Sequence, residues 1–217
     1  MTSLTGSRAA ETRSEILFPR MRWVAAVWML VWFPTYAVVW GWANFLHVCN
    51  IGIVLSCLGL WLGSPLLLSS QAVVLIPGSA LWAVDVAWRA LFGQHLFGGT
   101  EYMWDERYAL GVRLLSLYHL VWPVLMVWAV RRSGYDARAL PLQCLITAAA
   151  LGLSRLADPA ENVNFAYQDP LFHRIWGPAP LHLTVVLAGI TALIYLPTHW
   201  ALLRVLGTAA LSERPRS

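Results

Sequence analysis

Six separate stretches of the chain are apolar over about the length that is needed to cross a membrane. They cover residues 23–41, 44–62, 66–92, 108–130, 139–156 and 181–206. A helix that spans the hydrocarbon core needs about 20 apolar residues. Only 12% of the residues are charged, whereas a soluble domain carries roughly a quarter. We therefore predict an all-α integral membrane protein, with a six-helix transmembrane bundle over 23–206 between the tails 1–22 and 207–217.

The basic residues, which are all arginine, predict the orientation of this bundle. If the N-terminus lies in the cytoplasm, the cytoplasmic side receives most of them: Arg8, Arg13, Arg20, Arg22, Arg131, Arg132, Arg138, Arg204, Arg214 and Arg216. The outer side receives mainly Arg107 and Arg174, with Arg89 and Arg155 near helix ends. The positive-inside rule then places both termini in the cytoplasm. Because the arginines lie at segment ends, we interpret the net charge of +4 as a topology signal and expect no nucleic-acid partner. The predicted location is a bacterial inner (plasma) membrane.

Polar and ionisable side chains collect in the outer half of the predicted bundle. They are Asn44, His47, Cys49, Asn50, Asp85, Arg89, Arg113, Ser116, Tyr118, His119, Ser154, Arg155, Asp158, Glu161, Asn162, Asn164, Asp169, His173, Arg174 and His182. Such residues are costly inside a membrane and usually face a cavity or one another. Spacings of three or four residues put Asn44, His47 and Asn50 on one helix face. We therefore expect a polar cavity that opens to the outer face.

A cysteine and a histidine in this half suggest covalent chemistry. Cys49 lies about one turn into the second segment, and His119 lies in the fourth. A thiol becomes a good nucleophile when a neighbouring base takes its proton, and the resulting thioester would carry an acyl chain that is already dissolved in the bilayer. The remaining candidates bind substrate. Asn50, Asn162 or Asn164 would donate to an oxyanion, and Arg113 and Arg155 would hold a phosphate headgroup. His47 and His182 would line the site.

Other interpretations of the same residues stay open. His47 and His119 could be axial haem ligands, or could form a metal site together with Cys49. The thirteen tryptophans also suit a non-catalytic subunit that packs against other membrane chains and carries a haem or pigment. The transporter class is less favoured because we find no internal repeat. The catalytic hypothesis itself requires no cofactor and no metal.

Several short motifs resemble a known family. They are Asn44-Phe-Leu-His-Val-Cys-Asn50, Leu115-Ser-Leu-Tyr-His119, Pro123, Arg131-Arg132, Glu161-Asn-Val-Asn-Phe165, Asp169-Pro170 and Arg174-Ile-Trp-Gly177. In order and character they resemble a family of polytopic membrane acyltransferases with bacterial members and a mammalian member that moves acyl chains onto ether lysophospholipids. A distant similarity extends to membrane threonine hydrolases of fatty-acid esters. The resemblance implies six helices with Cys49 as nucleophile and His119 as base. One departure is Asn50, where the mammalian member has histidine.

The leading hypothesis is a lipid acyltransferase or acyl hydrolase whose partner is a membrane lipid. Cys49 attacks the ester, His119 shuttles the proton, and Asp85 or Asn164 orients the imidazole. The rival hypothesis is the tryptophan-rich accessory subunit, whose partners would be other membrane subunits.

Overall fold

The structure, a computed structural model, describes residues 17–212, with the side chains given as far as residue 206. Most of the two predicted tails, including Arg8, Arg13, Arg214 and Arg216, lies outside the described residues. The last residues before the first helix are packed against the bundle, since Phe18 is 1% exposed. Its ring lies 5.4 Å from that of Trp128, between centroids.

The described residues form six helices and no strand, which confirms the all-α class. They are α1 (Met21–Trp40), α2 (Val48–Leu62), α3 (Pro65–Phe92), α4 (Leu110–Ser133), α5 (Ala139–Ser154) and α6, which begins at Ala179 and ends at Ser212. Four of them, α1, α3, α4 and α6, are long and apolar enough to cross a membrane. The helices α2 and α5 are apolar but have only 15 and 16 residues, about 23 Å of helix.

The second predicted segment is shorter as a helix because its first residues bend. Gly41 has φ +75°, a conformation that favours glycine, and it ends α1. Trp42–Leu46 then form one 3₁₀ turn, and His47 is extended before α2 begins at Val48. Cys49 therefore lies in the first turn of α2, which begins at Val48. The sequence predicted instead that this helix begins at residue 44.

Helix α3 lies at the centre of the bundle and packs against α2, α4 and α5. Its start follows common capping rules: Ser64 accepts a hydrogen bond from the Leu67 N–H, and Pro65 occupies the first helical position. Its residues 68–75 are all buried. Gly93, with φ +76°, ends the helix.

Helix α4 is broken near its beginning. The parts Leu110–Leu115 and Tyr118–Ser133 are joined by a tight turn in which the N–H of Ser116 donates to Arg113 and that of His119 donates to Ser116. These hydrogen bonds span three residues, whereas those of an α-helix span four, so that the turn is tighter than an α-helical turn. Within this turn and just after it, Ser116, Tyr118 and His119 are all buried, so that the break turns three polar groups toward the interior.

Contacts between loops define the two ends of the bundle. At one end the Arg132 side chain donates to the Leu17 carbonyl, and the Asp136 N–H donates to the Ser69 hydroxyl. At the opposite end, Asn164 donates to the Leu46 carbonyl, and the Trp40 ring lies against Tyr102 and Tyr108. This second end, which we call the polar end, therefore carries the segments 41–47, 93–109 and 155–178.

Candidate functional site

A cavity of about 340 Å³ lies at the polar end of the bundle. Its wall comes from α1, segment 41–47, α2, α3, α4 and both long loops. It is lined by Tyr36, Trp40, Asn44, His47, Val48, Cys49, Asn50, Val74, Leu75, Gly78, Ser79, Trp82, Gly99, Tyr102, Ser116, Tyr118, His119, Asn164 and Phe165. Five residues that the sequence proposed for a site, Cys49, His119, Asn164, His47 and Asn50, are therefore brought to one cavity.

Cys49 lies in the first turn of α2, at an incompletely capped helix N-terminus. The Val48 N–H donates to the Asn164 side-chain oxygen at 3.0 Å, and the Ile51 N–H donates to the His47 carbonyl. Between them, the backbone N–H groups of Cys49 and Asn50 are directed at the Cys49 sulfur. The first N–H groups of a helix are a general site for negative charge. Two backbone donors of the helix N-terminus thus accompany the thiol at the cavity.

Asn50 links the cysteine to the rest of the cavity wall. Its side-chain oxygen accepts from the Tyr118 hydroxyl at 3.0 Å and lies 3.9 Å from the Cys49 sulfur. Its amide nitrogen donates to the Asn44 carbonyl at 2.7 Å. The Asn50 side chain is therefore fixed by two strong hydrogen bonds, and its second N–H is the one left for a ligand.

His119 is 7% exposed and is held on both faces. Its ring stacks on Trp82 at 4.9 Å and on Tyr118 at 4.2 Å, between centroids. Its Nδ1 lies 3.2 Å from the Ser79 hydroxyl. The hydrogen bonds of residues 17–212 include none between the His119 imidazole and the Cys49 thiol. Ser79 and the two aromatic rings thus set the orientation of the imidazole.

Asn164 anchors the loop 155–178 to the start of α2. In addition to accepting from Val48, it donates to the Leu46 carbonyl at 2.6 Å and to the Ser154 hydroxyl at 3.0 Å. The residue adopts a left-handed conformation with φ +53°, and Phe165 follows with φ +62°. Asparagine tolerates this region but phenylalanine rarely adopts it. Asn164 is committed to two backbone groups and the Ser154 hydroxyl, and it has no hydrogen bond to His119 among the described residues.

Asp85 anchors the other long loop. One carboxylate oxygen accepts from the N–H groups of Leu96, Phe97 and Gly98, and the other accepts from the Thr100 hydroxyl and lies 2.9 Å from His95 Nδ1. Because this loop supplies Gly99 and Tyr102 to the cavity wall, Asp85 shapes the cavity from outside. Within the described residues it has no hydrogen bond to His119.

Four further predicted residues bind loop backbone and do not line the cavity. Arg113 donates to the Met103 carbonyl, Arg155 donates to the Ala166 carbonyl, and Asn162 holds segment 167–168 through three hydrogen bonds. His182 Nδ1 accepts from the Trp176 N–H. Its Nε2, which lies 3.0 Å from the Phe165 carbonyl, must therefore carry the proton. These side chains build the polar end.

The site also contains residues that the sequence analysis did not single out. Ser79, Trp82 and Tyr102 all line the cavity, and the Trp82 indole donates to the Tyr102 hydroxyl at 2.9 Å. Burial raises the pKa of Tyr102, which lies in the loop 93–109, so its hydroxyl remains neutral. The spacing of Ser79, Trp82 and Asp85 at three residues along α3 was the signal that could have indicated this face.

Comparisons with family models, with curated proteins and with solved structures found no match to this chain. Within the described part of the chain, no three His, Cys, Asp or Glu side chains are grouped in a way that could hold a metal ion. His47, Cys49 and His119 share a cavity without forming such a group.

Proposed function

We propose that the chain is a cysteine-dependent acyltransferase or acyl hydrolase that acts on membrane lipids, with Cys49 as nucleophile and His119 as base. The observation that carries this proposal is the position of Cys49. It lies in the first turn of α2, where the backbone N–H groups of Cys49 and Asn50 are directed at its sulfur, in a cavity that it shares with His119. The resemblance of the motifs around Cys49, His119 and Asn164 to polytopic acyltransferases points in the same direction.

The start of α2 suits both the nucleophile and the intermediate that it would form. The positive end of the helix dipole stabilises a thiolate. When the thiolate adds to an ester carbonyl, negative charge develops on the carbonyl oxygen, and preorganised N–H donors lower the energy of that state. The N–H groups of Cys49 and Asn50 are the donors in this proposal, in the role that the sequence assigned to asparagine side chains.

His119 serves as base in one of its two neutral tautomers. Nδ1 must carry the proton and donate to the Ser79 hydroxyl, which leaves Nε2 unprotonated and able to accept the thiol proton. Ser79 is therefore the positioning residue. That role was expected of Asp85 or Asn164, whose hydrogen bonds instead go to the loops.

The reaction then proceeds in two balanced steps. In the first, the Cys49 proton moves to His119 Nε2, sulfur bonds to the carbonyl carbon, the ester C–O bond breaks, and the departing alcohol oxygen takes the proton from His119. In the second, a hydroxyl group or water attacks the thioester, His119 takes its proton, the C–S bond breaks and the thiol is restored. A lipid hydroxyl makes the enzyme a transferase, and water makes it a hydrolase.

We also propose that all six helices are embedded in a bacterial inner membrane, with both termini in the cytoplasm. The support comes from the whole sequence, in which ten of the fifteen arginines fall in the predicted cytoplasmic segments. The described arginines alone are nearly balanced, since Arg89, Arg107, Arg113, Arg155 and Arg174 lie toward the polar end. Arg20, Arg22, Arg131, Arg132 and Arg138 belong to the end opposite the polar end. The positive-inside rule assigns such an end to the cytoplasm. The cavity would then receive lipids from the outer leaflet.

The test is acyl exchange in vesicles that contain the purified protein, phosphatidylcholine with an isotopically labelled acyl chain, and unlabelled lysophospholipid. Mass spectrometry measures labelled chains that appear on the lysophospholipid or as free fatty acid. Cys49→Ala and His119→Ala should each reduce the rate by at least about 100-fold. Cys57→Ala and Cys144→Ala are matched controls, because both cysteines are also free and partly buried, and they should retain the rate. Wild-type rates in both site variants would refute the proposal and favour an accessory subunit.

A further inference from the structure

We infer that an apolar groove between α1 and α4 holds the acyl chain of the lipid while its ester lies at Cys49. This inference rests on the proposed function and adds the binding site for the chain. The groove has a volume of about 480 Å³. Its wall includes Met21, Val24 and Trp28 of α1 and Gly111, Leu114 and Leu125 of α4, so that it is apolar throughout.

The length and volume of the groove fit a single acyl chain. From Gly111 to Leu125 it follows α4 for about 21 Å, at about 1.5 Å per residue. One leaflet of hydrocarbon is about 15 Å deep. A methylene group is close in size to water, which takes ~30 Å³ in the liquid, so the groove holds about sixteen such units. A helix of ~10 Å diameter seated over the same length would need about 1,600 Å³.

Tyr118 forms the wall between the groove and the polar cavity, because its side chain lines both. On the cavity side its hydroxyl donates to Asn50, the residue after the cysteine. On the groove side its ring lies against Trp122, which also lines the groove. The inference therefore requires the acyl chain to pass the edge of the Tyr118 ring, with the ester at Cys49 on one side and the methylene groups in the groove on the other.

Since lipid tails are as apolar as the groove, the hydrophobic effect does not select the chain. Selection comes from van der Waals contacts along the groove, which increase with the number of methylene groups. The inference therefore predicts a preference for long acyl chains, and this preference should weaken when the groove is narrowed.

Gly111→Phe narrows the groove, and Gly152→Phe is its matched control. Both glycines lie in helices and have open space where a Cβ would be added, but Gly152, in α5, is not part of the groove. Val24→Trp, at an exposed groove position, is a second narrowing variant. Thermal unfolding of each variant in detergent confirms that it is folded before it is used.

The probe is a phosphatidylcholine whose acyl chain ends in a diazirine, added in stoichiometric amount to protein in maltoside micelles. Cys49→Ala serves as background so that no turnover occurs. After irradiation, labelled peptides should come from 21–28 and 111–125, and Gly111→Phe or Val24→Trp should reduce their labelling about tenfold. Gly152→Phe should leave it unchanged. In the active protein, the rate ratio of long-chain to short-chain substrate should fall only in the narrowed variants.

Equal labelling of the groove and of lipid-facing positions such as Leu193 in α6 would overturn the inference, as would equal effects of Gly111→Phe and Gly152→Phe. If exchange depends on Cys49 but the groove is not labelled, the inference fails and the proposed function stands. Groove labelling together with Cys49-independent exchange would support the binding site and refute the proposed function.

Discussion

Asn164 makes three hydrogen bonds where the loop 155–178 meets α2. Replacing it with alanine leaves the Leu46 carbonyl and the Val48 N–H without partners at a partly buried position. A lost partner of this kind costs about 1–3 kcal/mol. We expect Asn164→Ala to lower the thermal unfolding midpoint in detergent by several degrees. Thr184→Ala is the control, since its exposed hydroxyl bonds only to a carbonyl in its own helix, and an equal loss there would contradict this account.

Single residues were the hardest part to predict from the sequence. The position of each residue along its apolar segment predicted the end of the bundle at which it lies, and this was enough to group Cys49, His119 and Asn164 at one end. Their hydrogen-bond partners could not be predicted, because Asp85 and Asn164 bond to irregular loop segments. No helical or strand periodicity in the sequence indicates where such segments fold back onto the bundle. The sequence therefore suggested a catalytic role for two polar residues, Asp85 and Asn164, whose hydrogen bonds in fact hold loops.

At the level of elements, carboxylates anchor both long loops of the polar end. Asp169 accepts from the N–H groups of Leu171, Phe172 and Arg174. Burial alone would raise the pKa of the Asp169 carboxyl, but these N–H groups outweigh it and the pKa lies below its ordinary value. Such a group stabilises the fold above its unfolded pKa of about 4, and this stabilisation is lost as the pH falls through the folded pKa.

We therefore expect the amides of segment 171–174 to stay protected from hydrogen exchange at neutral pH and to lose protection below about pH 4, after correction for intrinsic rates. Asp169→Asn removes the charge and should raise exchange at neutral pH while abolishing the acid-dependent loss. A variant that loses protection over the same pH range as the wild type would show that Asp169 does not control the loop.

Most helix boundaries followed from proline, glycine and apolar length. Pro65 and Gly93 delimit α3 close to the predicted 66–92, because their backbone preferences are local. The bends at 41–47 and 116–117 were not predicted, since apolar residues continue through both. These two bends bring the first turn of α2 and the buried face of α4 to the same cavity.

For the whole molecule, the arginine distribution predicts that the polar end faces outward and that all six helices are embedded. Glu106 and Arg131 are exposed near opposite ends of the bundle. In intact cells, Glu106→Cys should react with a membrane-impermeant maleimide beyond the wild-type background, whereas Arg131→Cys should react only after permeabilisation. The reverse pattern would invert the topology, and equal labelling of both sites in intact cells would contradict a bundle that separates two compartments.

The central claim is that Cys49 carries the acyl chain, and a trapped thioester tests it most directly. Protein incubated with labelled phosphatidylcholine and quenched in acid should show, by peptide mass spectrometry, one acyl group on Cys49, removable by neutral hydroxylamine. Cys57 and Cys144 should remain unmodified, and Cys49→Ala should show no thioester. Exchange of acyl chains without any adduct on Cys49, or with equal adducts on all three cysteines, would contradict the account.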